Sequence, residues 1–592
     1  MLARVSLGMP PAVEPSFAGE VFPWLPIVTP RMIPSIQSIH LLPHEFQYLT
    51  WFTLCCAGLF ALYIAMLRLA RGMRQRWFVA LAAAGPVAFM VMLVCTPVML
   101  SSDIYSYAHY GRMLALYGQD VNMPTSEAYN LADPFGLGGG YFFFVPNVYG
   151  PLWTVISAIV FKAGAGHIGL TVLLFRLVEV LSALGCGALI WLIIKEVAPD
   201  RATEGLVLFL WNPLVIIESA FSGHNDTCMM ALALLALWLH LRGYKAGAVV
   251  AFALSALVKV ITWALIPLYM LMILRAGCSW KSRAAFVARS ALGIVAATAL
   301  SMWLAHTDPH RPARHMFTGP QFYLNNYHEP LFRQLRRMFG EPESTIQAPI
   351  DFEASWVAAN ESEPLHADIS DQSRVLYMLR PGQPLLVLSS PLSREPENWV
   401  RLFDPADRAV GFMRLPGVHE ISAPPDAMRD PTVRVLSVPP KAWPTVIKAN
   451  WWIRAVTWSL FIPFALLAAW KTTDFERFIY WSTAFFLASE LLVFSKIWPW
   501  YMVWPLAIGA ILPRSVPARL SVAMSAGFIL LYVFLDYADT RFEWAYDLRS
   551  LFTIVLPVIL FALVEICRRL VTKPGKPSPR PVSAPVKWGF PT

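Results

Sequence analysis

The chain has 592 residues, of which 57% are hydrophobic and only 14% are charged, whereas a soluble domain carries about 25% charged residues. This composition argues against a soluble globular protein and predicts a polytopic integral membrane protein. The net charge of +9 comes from basic residues clustered in short loops between apolar stretches, which is typical of membrane topology and not of nucleic-acid binding. The seven cysteines show neither metal-ligand nor CxxC spacing, which favours buried packing roles.

Twelve apolar stretches approach the roughly 20 residues that a helix needs to cross a hydrocarbon core of about 30 Å. One of them, 246–274, is long enough for two short helices broken near Lys259, so we predict about 13 crossings. We interpret the segment 150–164 as an interfacial or re-entrant helix, which is tolerated where protein or water buries it. The stretches are 49–70, 77–100, 168–195, 204–221, 226–241, 246–274, 284–305, 451–470, 476–494, 499–513, 517–535 and 550–567.

Basic residues indicate which loops face the cytoplasm. Arg68, Arg71, Arg74 and Arg76 lie in the first loop, and the positive-inside rule places such loops on the cytoplasmic side. Alternation then places the other loops outside. The predicted organisation is an extracytoplasmic N-terminal segment (1–48), an N-terminal transmembrane module (49–305) with an outer loop (101–167), an extracytoplasmic insertion domain (306–450), a C-terminal transmembrane module (451–570) and a disordered cytoplasmic tail (571–592).

The insertion 306–450 is the only candidate for a soluble domain, since it is rich in Pro, Glu, Asp and Arg. Within it, residues 384–388 and 399–403 alternate or run apolar like short strands. The stretches 380–384, 399–402 and 411–413 resemble a small bacterial SH3-like barrel, and an irregular insertion is the alternative. The predicted fold class is therefore an all-α polytopic membrane protein with a small, SH3-like β insertion outside the membrane.

The outer end of the second predicted helix carries the first polar cluster. Asp103 lies at the membrane boundary, and Tyr105, His109 and Arg112 follow it at helical intervals. Polar groups in or beside a bilayer are costly and are therefore functional candidates. A carboxylate at this place could act as a general base towards a hydroxyl group. The alternative is that Asp103 caps the following helix.

The second cluster follows a predicted turn at Gly223, at the outer end of another helix. His224, Asn225 and Asp226 offer three hydrogen-bonding side chains to a polar ligand. Capping of the next helix by Asn225 or Asp226 is the alternative, but three polar residues exceed what one cap needs. Lys259, between two half-helices, is a further candidate for a phosphate contact.

The third cluster combines Lys496 with Trp498 and Tyr501, again on the predicted outer side. A lysine beside aromatic residues at the interface can hold a lipid phosphate as a point charge. The alternative is an ordinary aromatic belt with a lysine that extends towards water.

Together the three clusters resemble the GT-C superfamily of membrane glycosyltransferases, in particular the polyprenyl-phosphate-mannose-dependent mannosyltransferases of actinobacteria and the related eukaryotic glycolipid mannosyltransferases. Each motif is short, and it is their order and shared sidedness that make the combination informative. The sequence departs from the family where 118–124 replaces an expected Asn-Pro-Tyr, and in the size of the insertion. The matching segments are Asp-x-Tyr-Ser-Tyr from Asp103, Tyr149-Gly150-Pro151, Trp211-Asn212-Pro213 with the later Gly-His-Asn-Asp, and Lys-x-Trp-Pro-Trp-Tyr from Lys496.

The resemblance implies inverting transfer of a hexose, expected to be mannose, from a polyprenyl-phosphate sugar to a glycan or glycolipid acceptor. It further implies an active site on the periplasmic face of a bacterial inner membrane. Asp103 would be the catalytic base, and Lys496 would meet the charge of the leaving phosphate. The candidate substrate-binding residues are Arg112, His224, Asn225, Asp226, Lys259, Lys496, Trp498 and Tyr501, with Tyr105 and His109 as additional candidates.

Under this hypothesis the expected partners are the lipid-linked donor, the acceptor and membrane lipids, and nucleic acid is not one of them. No cofactor is required, although a divalent metal bound by Asp103 and Asp226 is compatible with the sequence. The rival hypothesis is a transporter or lipid flippase, and a third is a non-catalytic scaffold. Transporters keep polar residues near the midplane and show related halves, whereas here the clusters gather at the outer helix ends.

The topology predicts that the insertion, including position 400, lies outside, so that a cysteine introduced as Glu361→Cys, at a charged position of the insertion, reacts with a membrane-impermeant maleimide in intact cells. Thr473→Cys, in a predicted cytoplasmic loop, should react only after permeabilisation, because basic residues flank that loop. Labelling above the wild-type background gives the result. Labelling of Glu361→Cys only after permeabilisation would place the insertion, with position 400, in the cytoplasm and would contradict both the topology and the outer location of the three clusters.

Overall fold

The computed structural model describes residues 45–95, 100–101, 103–118, 147, 149–276, 279–307, 356–366, 375–387, 399–407, 409–414, 417–422, 424, 446–494, 497–532 and 551–571. In these ranges the chain is mostly helical, with one small antiparallel sheet.

The part before the insertion consists of helices, several of them short. These helices are between 4 and 30 residues long, and a short 3-10 turn, Pro199–Arg201, joins the fifth helix to the sixth. The helices are α1 Glu45–Leu69, α2 Arg76–Val94, α3 Asp103–Tyr117, α4 Pro151–Ala163, α5 Ile168–Val197, α6 Ala202–Leu210, α7 Pro213–Ile216, α8 Asp226–Leu241, α9 Lys245–Val258, α10 Leu265–Arg275 and α11 Trp280–Leu304.

The part after the insertion is also helical, and π-helical or 3-10 turns directly precede or follow several of its helices. The helices are α12 Val446–Lys471, α13 Phe475–Ala488, α14 Val503–Gly509, α15 Val516–Ile529 and α16 Leu556–Val571. The π-helical turns of the described chain are Ile217–Phe221, Ser489–Val493 and Leu551–Val555, and its further 3-10 turns are Val260–Ala264 and Pro499–Met502.

The long apolar helices identify a membrane protein. Among the described residues, five helices are long and apolar enough to cross a membrane, or up to six if one bent pair counts as a single span. Large apolar side chains project from them, for example Leu62 (70% exposed) and Leu292 (72% exposed), as expected where lipid tails are the solvent. The predicted count of about 13 crossings is not confirmed, because several predicted spans form shorter helices.

The predicted span 204–221 is wrong as a single straight helix. It is broken after Leu210, and the two halves meet at an angle of 55°. Pro213 has no N–H to donate, and the Asn212 Oδ1 accepts a hydrogen bond from the Leu214 N–H at 3.0 Å, capping α7. The stretch 246–274, in contrast, forms two helices separated by a 3-10 turn that begins after Lys259, as predicted.

Close packing of small residues joins α3, α4 and α9. A Cβ on Gly111 of α3 would lie 2.2 Å from the Ser157 carbonyl oxygen of α4. A Cβ on Gly150, just before α4, would lie 2.0 Å from the Leu257 carbonyl oxygen of α9. With 13 residues, α4 is only about 20 Å long, consistent with the prediction that the segment 150–164 does not cross the membrane. These contacts determine where Asp103, at the start of α3, is held.

The insertion contains a seven-stranded antiparallel sheet with the strand order β3-β2-β6-β5-β4-β1-β7. The two predicted strands, 384–388 and 399–403, are confirmed as β4 and β5, which pair with each other. The SH3-like barrel stays a prediction. The strands are β1 Trp356–Ala359, β2 Pro364–His366, β3 Val375–Met378, β4 Pro384–Val387, β5 Trp399–Asp404, β6 Ala409–Arg414 and β7 Val418–Ile421.

A buried carboxylate stabilises this sheet. Asp404 is fully buried and accepts hydrogen bonds from the Tyr377 hydroxyl at 2.8 Å and from Gln383 Nε2 at 2.6 Å. Burial and the neighbouring Asp404 raise the pKa of Tyr377 well above its usual value. The hydroxyl therefore stays protonated and continues to donate to the carboxylate.

Gly111→Ala should destabilise the protein by about 1–3 kcal/mol, because the added methyl group would push α3 away from α4. Gly185→Ala is the matched control, since a Cβ on Gly185 of α5 meets nothing within 4 Å and alanine is favoured in helices by roughly 0.5–1 kcal/mol. Thermal unfolding in detergent measures both. Equal stabilities of the two variants would contradict the close α3–α4 contact.

Candidate active site

His224 lies at the centre of a group of polar side chains. It follows the π-helical turn Ile217–Phe221 and Gly223, whose φ of +68° glycine adopts without strain. The ring is almost fully buried. Its Nδ1 lies 2.8 Å from Glu218 Oε2, and its Nε2 lies 3.0 Å from Ser101 Oγ. Both ring nitrogens are therefore engaged by protein groups.

Asp103 lies beside this ring. Its Oδ2 is 3.8 Å from His224 Nε2 and accepts a hydrogen bond from the Tyr149 hydroxyl at 3.1 Å. Burial and the charge of Asp103 raise the pKa of Tyr149 well above its usual value, so this hydroxyl remains a donor. The Asp103 side chain is 20% exposed, whereas that of Glu218 is 1% exposed. Asp103 is thus the carboxylate of this group that a substrate could reach.

Glu218 connects the group to the C-terminal part of the chain. It accepts hydrogen bonds from the Tyr532 hydroxyl at 2.9 and 3.1 Å. Glu218 lies in the π-helical turn Ile217–Phe221, and such turns are rare and frequently mark functional sites. Glu218, Tyr532 and the hydroxyl of Tyr149 were not predicted from the sequence. Glu218 could have been found as an acidic residue inside an apolar stretch, whereas nothing in the sequence distinguishes Tyr532. We call Ser101, Asp103, Tyr149, Glu218, His224 and Tyr532 the His224 cluster.

An aromatic segment covers the His224 cluster and continues beyond it. Trp500 stacks on the His224 ring with a centroid distance of 3.8 Å, and Trp498 stacks on Trp500 at 5.1 Å. Further along, Tyr501 stacks on Trp504 at 4.6 Å. The segment 498–504 therefore runs from the His224 cluster to a second polar pair.

That second pair is Lys259 with Asp226. Lys259 Nζ donates to both carboxylate oxygens of Asp226, at 2.9 and 3.1 Å, and Trp504 Nε1 also donates to this carboxylate. The ammonium group lies 5.2 Å from the centre of the Tyr501 ring and 5.5 Å from that of Trp504, within cation–π range. The predicted phosphate ligand Lys259 is thus already held in an ion pair.

The capping alternative for Asn225 and Asp226 does not describe their side chains. Asn225 occupies the N-cap position of α8 but makes no side-chain capping bond, and in the described chain its buried amide has no hydrogen-bond partner. The Asp226 carboxylate is directed to Lys259 and Trp504 instead. Neither side chain therefore caps α8.

The other predicted residues lie elsewhere or outside the described ranges. Arg112 follows Asp103 by nine residues along α3, a rise of about 13 Å, and donates to the Tyr117 hydroxyl at 2.8 Å. Tyr105 and His109 are buried on the same helix. Lys496 lies outside the described residues. In the described part of the chain, no three His, Cys, Asp or Glu side chains are grouped to hold a metal ion, and Asp226 is engaged by Lys259.

The comparison with protein families matches residues 16–275 to the MptA_B family, described as alpha-(1->6)-mannopyranosyltransferase, N-terminal domain. No curated protein and no solved structure matches the chain. The matched segment contains Asp103, Tyr149, Glu218, His224 and the Lys259–Asp226 pair. It ends before the aromatic segment and Tyr532.

Breaking the Lys259–Asp226 pair should be costly, because the two side chains are 15% and 1% exposed. Lys259→Met and Asp226→Asn should each destabilise the protein by roughly 3–5 kcal/mol, since each leaves one nearly buried charge unpaired. The double variant should lose less than the sum of the two by about 1 kcal/mol or more. The free energies of unfolding of the wild type, the two single variants and the double variant, measured in detergent, give this double-mutant cycle.

Arg477→Met is the control, because it removes an ion pair with Asp474 whose side chains are 57% and 50% exposed and such pairs contribute little. Additive losses for Lys259→Met and Asp226→Asn would show that the two side chains do not act as a pair.

Proposed function

We propose, because residues 16–275 match the N-terminal domain of the alpha-(1->6)-mannopyranosyltransferase family, that this membrane protein is a mannosyltransferase that uses a polyprenyl-phosphate mannose donor. The acceptor is a glycan or glycolipid at the outer face of a bacterial inner membrane. The observation that carries the proposal is the position of Asp103, a partly exposed carboxylate held by Tyr149 beside His224.

In this proposal Asp103 is the general base of a single displacement. The acceptor hydroxyl attacks the anomeric carbon from the face opposite the phosphate, and its proton passes to the Asp103 carboxylate. The bond between the anomeric carbon and the phosphate oxygen breaks, and the electron pair leaves with the lipid phosphate. One displacement inverts the anomeric centre. No protein acid is needed, because the leaving group is already a phosphate ester.

The charge of the leaving phosphate is met by lysine ammonium groups. We assign this role to Lys259, which keeps a 15% exposed side chain above Tyr501 although it is paired with Asp226, and to Lys496. Fixed charges aimed at a developing negative charge are often the largest contribution to catalysis. No metal ion is required for this sequence of events, because a lysine ammonium can balance the phosphate charge.

The test is incubation of the purified protein with a panel of polyprenyl-phosphate sugars and measurement of released polyprenyl phosphate. Polyprenyl-phosphate mannose should be the productive donor. Asp103→Asn keeps nearly the same shape and should preserve folding, but turnover should fall by about 100-fold or more, the usual scale for losing a positioned base.

Asp474→Asn is the matched control, because Asp474 caps α13 by accepting from the Arg477 N–H at 2.9 Å and Asn caps a helix about as well as Asp. Its turnover should equal that of the wild type. Full activity of the Asp103→Asn variant would refute the proposed base. If the protein releases no polyprenyl phosphate from any mannosyl donor, the proposed substrate is refuted.

A further inference from the structure

Glu218 and Asp103 approach His224 from opposite sides of its ring. Nδ1 faces Glu218 at 2.8 Å, and Nε2 faces Ser101 Oγ at 3.0 Å with Asp103 Oδ2 at 3.8 Å. We infer that Glu218 holds His224 as an imidazolium. The charged ring then orients the Asp103 carboxylate and balances its negative charge. This inference rests on the proposed function, because Asp103 is the base there. It makes His224 and Glu218 positioning residues, and not ligands of the donor phosphate.

The hydrogen bonds around the ring agree with two ring protons. Glu218 accepts from the Tyr532 hydroxyl, so its carboxylate acts as an acceptor, and Nδ1 must then carry a proton to bond it. Ser101 Oγ accepts from the Asp103 N–H at 3.2 Å and has a second lone pair for a proton on Nε2. Both nitrogens can therefore donate, as they do only in the charged form.

The charges near the ring favour the same form. The carboxylates of Glu218 and Asp103 lie on its two sides, and an opposite charge within about 4–6 Å favours the ionised state. Trp500 stacks at 3.8 Å on the ring face, where a cation is stabilised by the π system. Arg176 opposes this effect, as its side chain packs beside Gly223, but its guanidinium donates to the Val94 carbonyl at 2.9 Å.

The consequence concerns the base itself. With His224 charged, the three ionised groups carry a net charge of about −1 and not −2, which lowers the repulsion that an incoming phosphate would meet. Asp103 Oδ2 is directed to Tyr149 and His224. Oδ1, for which the described residues supply no hydrogen bond, is left to accept the proton of the acceptor hydroxyl. Glu218 acts on this geometry only through His224.

The first test is Glu218→Gln, which keeps the shape of the side chain and removes its charge. In protein labelled with ¹⁵N-histidine, the ring signals of His224 are assigned by their loss in His224→Gln, since the chain has 12 histidines. We expect the ring signals of His224 to change from those of an imidazolium in the wild type to those of a neutral ring in Glu218→Gln at the same pH, because the opposite charge that favours the ionised form is removed. The alkaline limb of the pH–kcat profile should move to lower pH.

The matched control is Glu204→Gln. Glu204 belongs to the same bent helix pair, is equally buried, and accepts from Arg514 at 2.8 Å. It should change neither the His224 signals nor the pH profile. A His224 that is neutral at pH 7 in the wild type, or that titrates alike in the wild type and Glu218→Gln, would overturn the inference. An unmoved pH profile in an active Glu218→Gln would overturn the positioning role.

If Glu218→Gln does not fold, His224→Gln decides. A positioning role predicts that kcat falls by about 100-fold while KM for the donor stays within about 3-fold and the alkaline limb disappears. A higher KM with unchanged kcat would make His224 a phosphate ligand and overturn the inference. The NMR result does not depend on turnover. A wild-type protein that transfers no mannose would therefore refute the proposed function separately from the charge state of His224.

Discussion

The contact between Glu218 and His224 joins three parts of the chain that are far apart in sequence. Through Glu218 it reaches Tyr532 after α15, and through Ser101 it reaches Asp103 at the start of α3. A buried carboxylate without a partner is costly in a protein interior and more so within a membrane. These groups are therefore stable only together, and the helices that carry them must meet at this place. The position of the candidate base follows from that requirement.

Irregular backbone accompanies the polar residues throughout the site. Glu218 lies in a π-helical turn, Lys259 lies where α9 gives way to a 3-10 turn, and Trp500 and Tyr501 lie in another 3-10 turn. Regular helices satisfy their own backbone groups, and membrane proteins tolerate departures only where protein or a water-filled cavity surrounds them. These irregular turns direct polar side chains inward, whereas a regular helix would distribute them around its surface.

The helical parts before and after the insertion both contribute to the site. The family match covers residues 16–275 and includes Asp103, His224 and the Lys259–Asp226 pair. The aromatic segment 498–504 and Tyr532 come from the other part, and they supply the stacking partner of His224 and a donor to Glu218. A site built in this way depends on the packing of the two parts against each other, because neither part alone completes the His224 cluster.

The sequence by itself determined the membrane class, the break near Lys259, the strands β4 and β5, and the likeness to membrane mannosyltransferases, because composition and local patterns carry these features. It also identified Asp103 and His224 as polar groups at helix ends. Only the tertiary structure decided that Glu218 bonds His224, that Asp226 is paired with Lys259, and that the span 204–221 is bent. Partners separated by up to 314 positions leave no periodic trace in a single sequence, since only packing brings them within hydrogen-bonding distance.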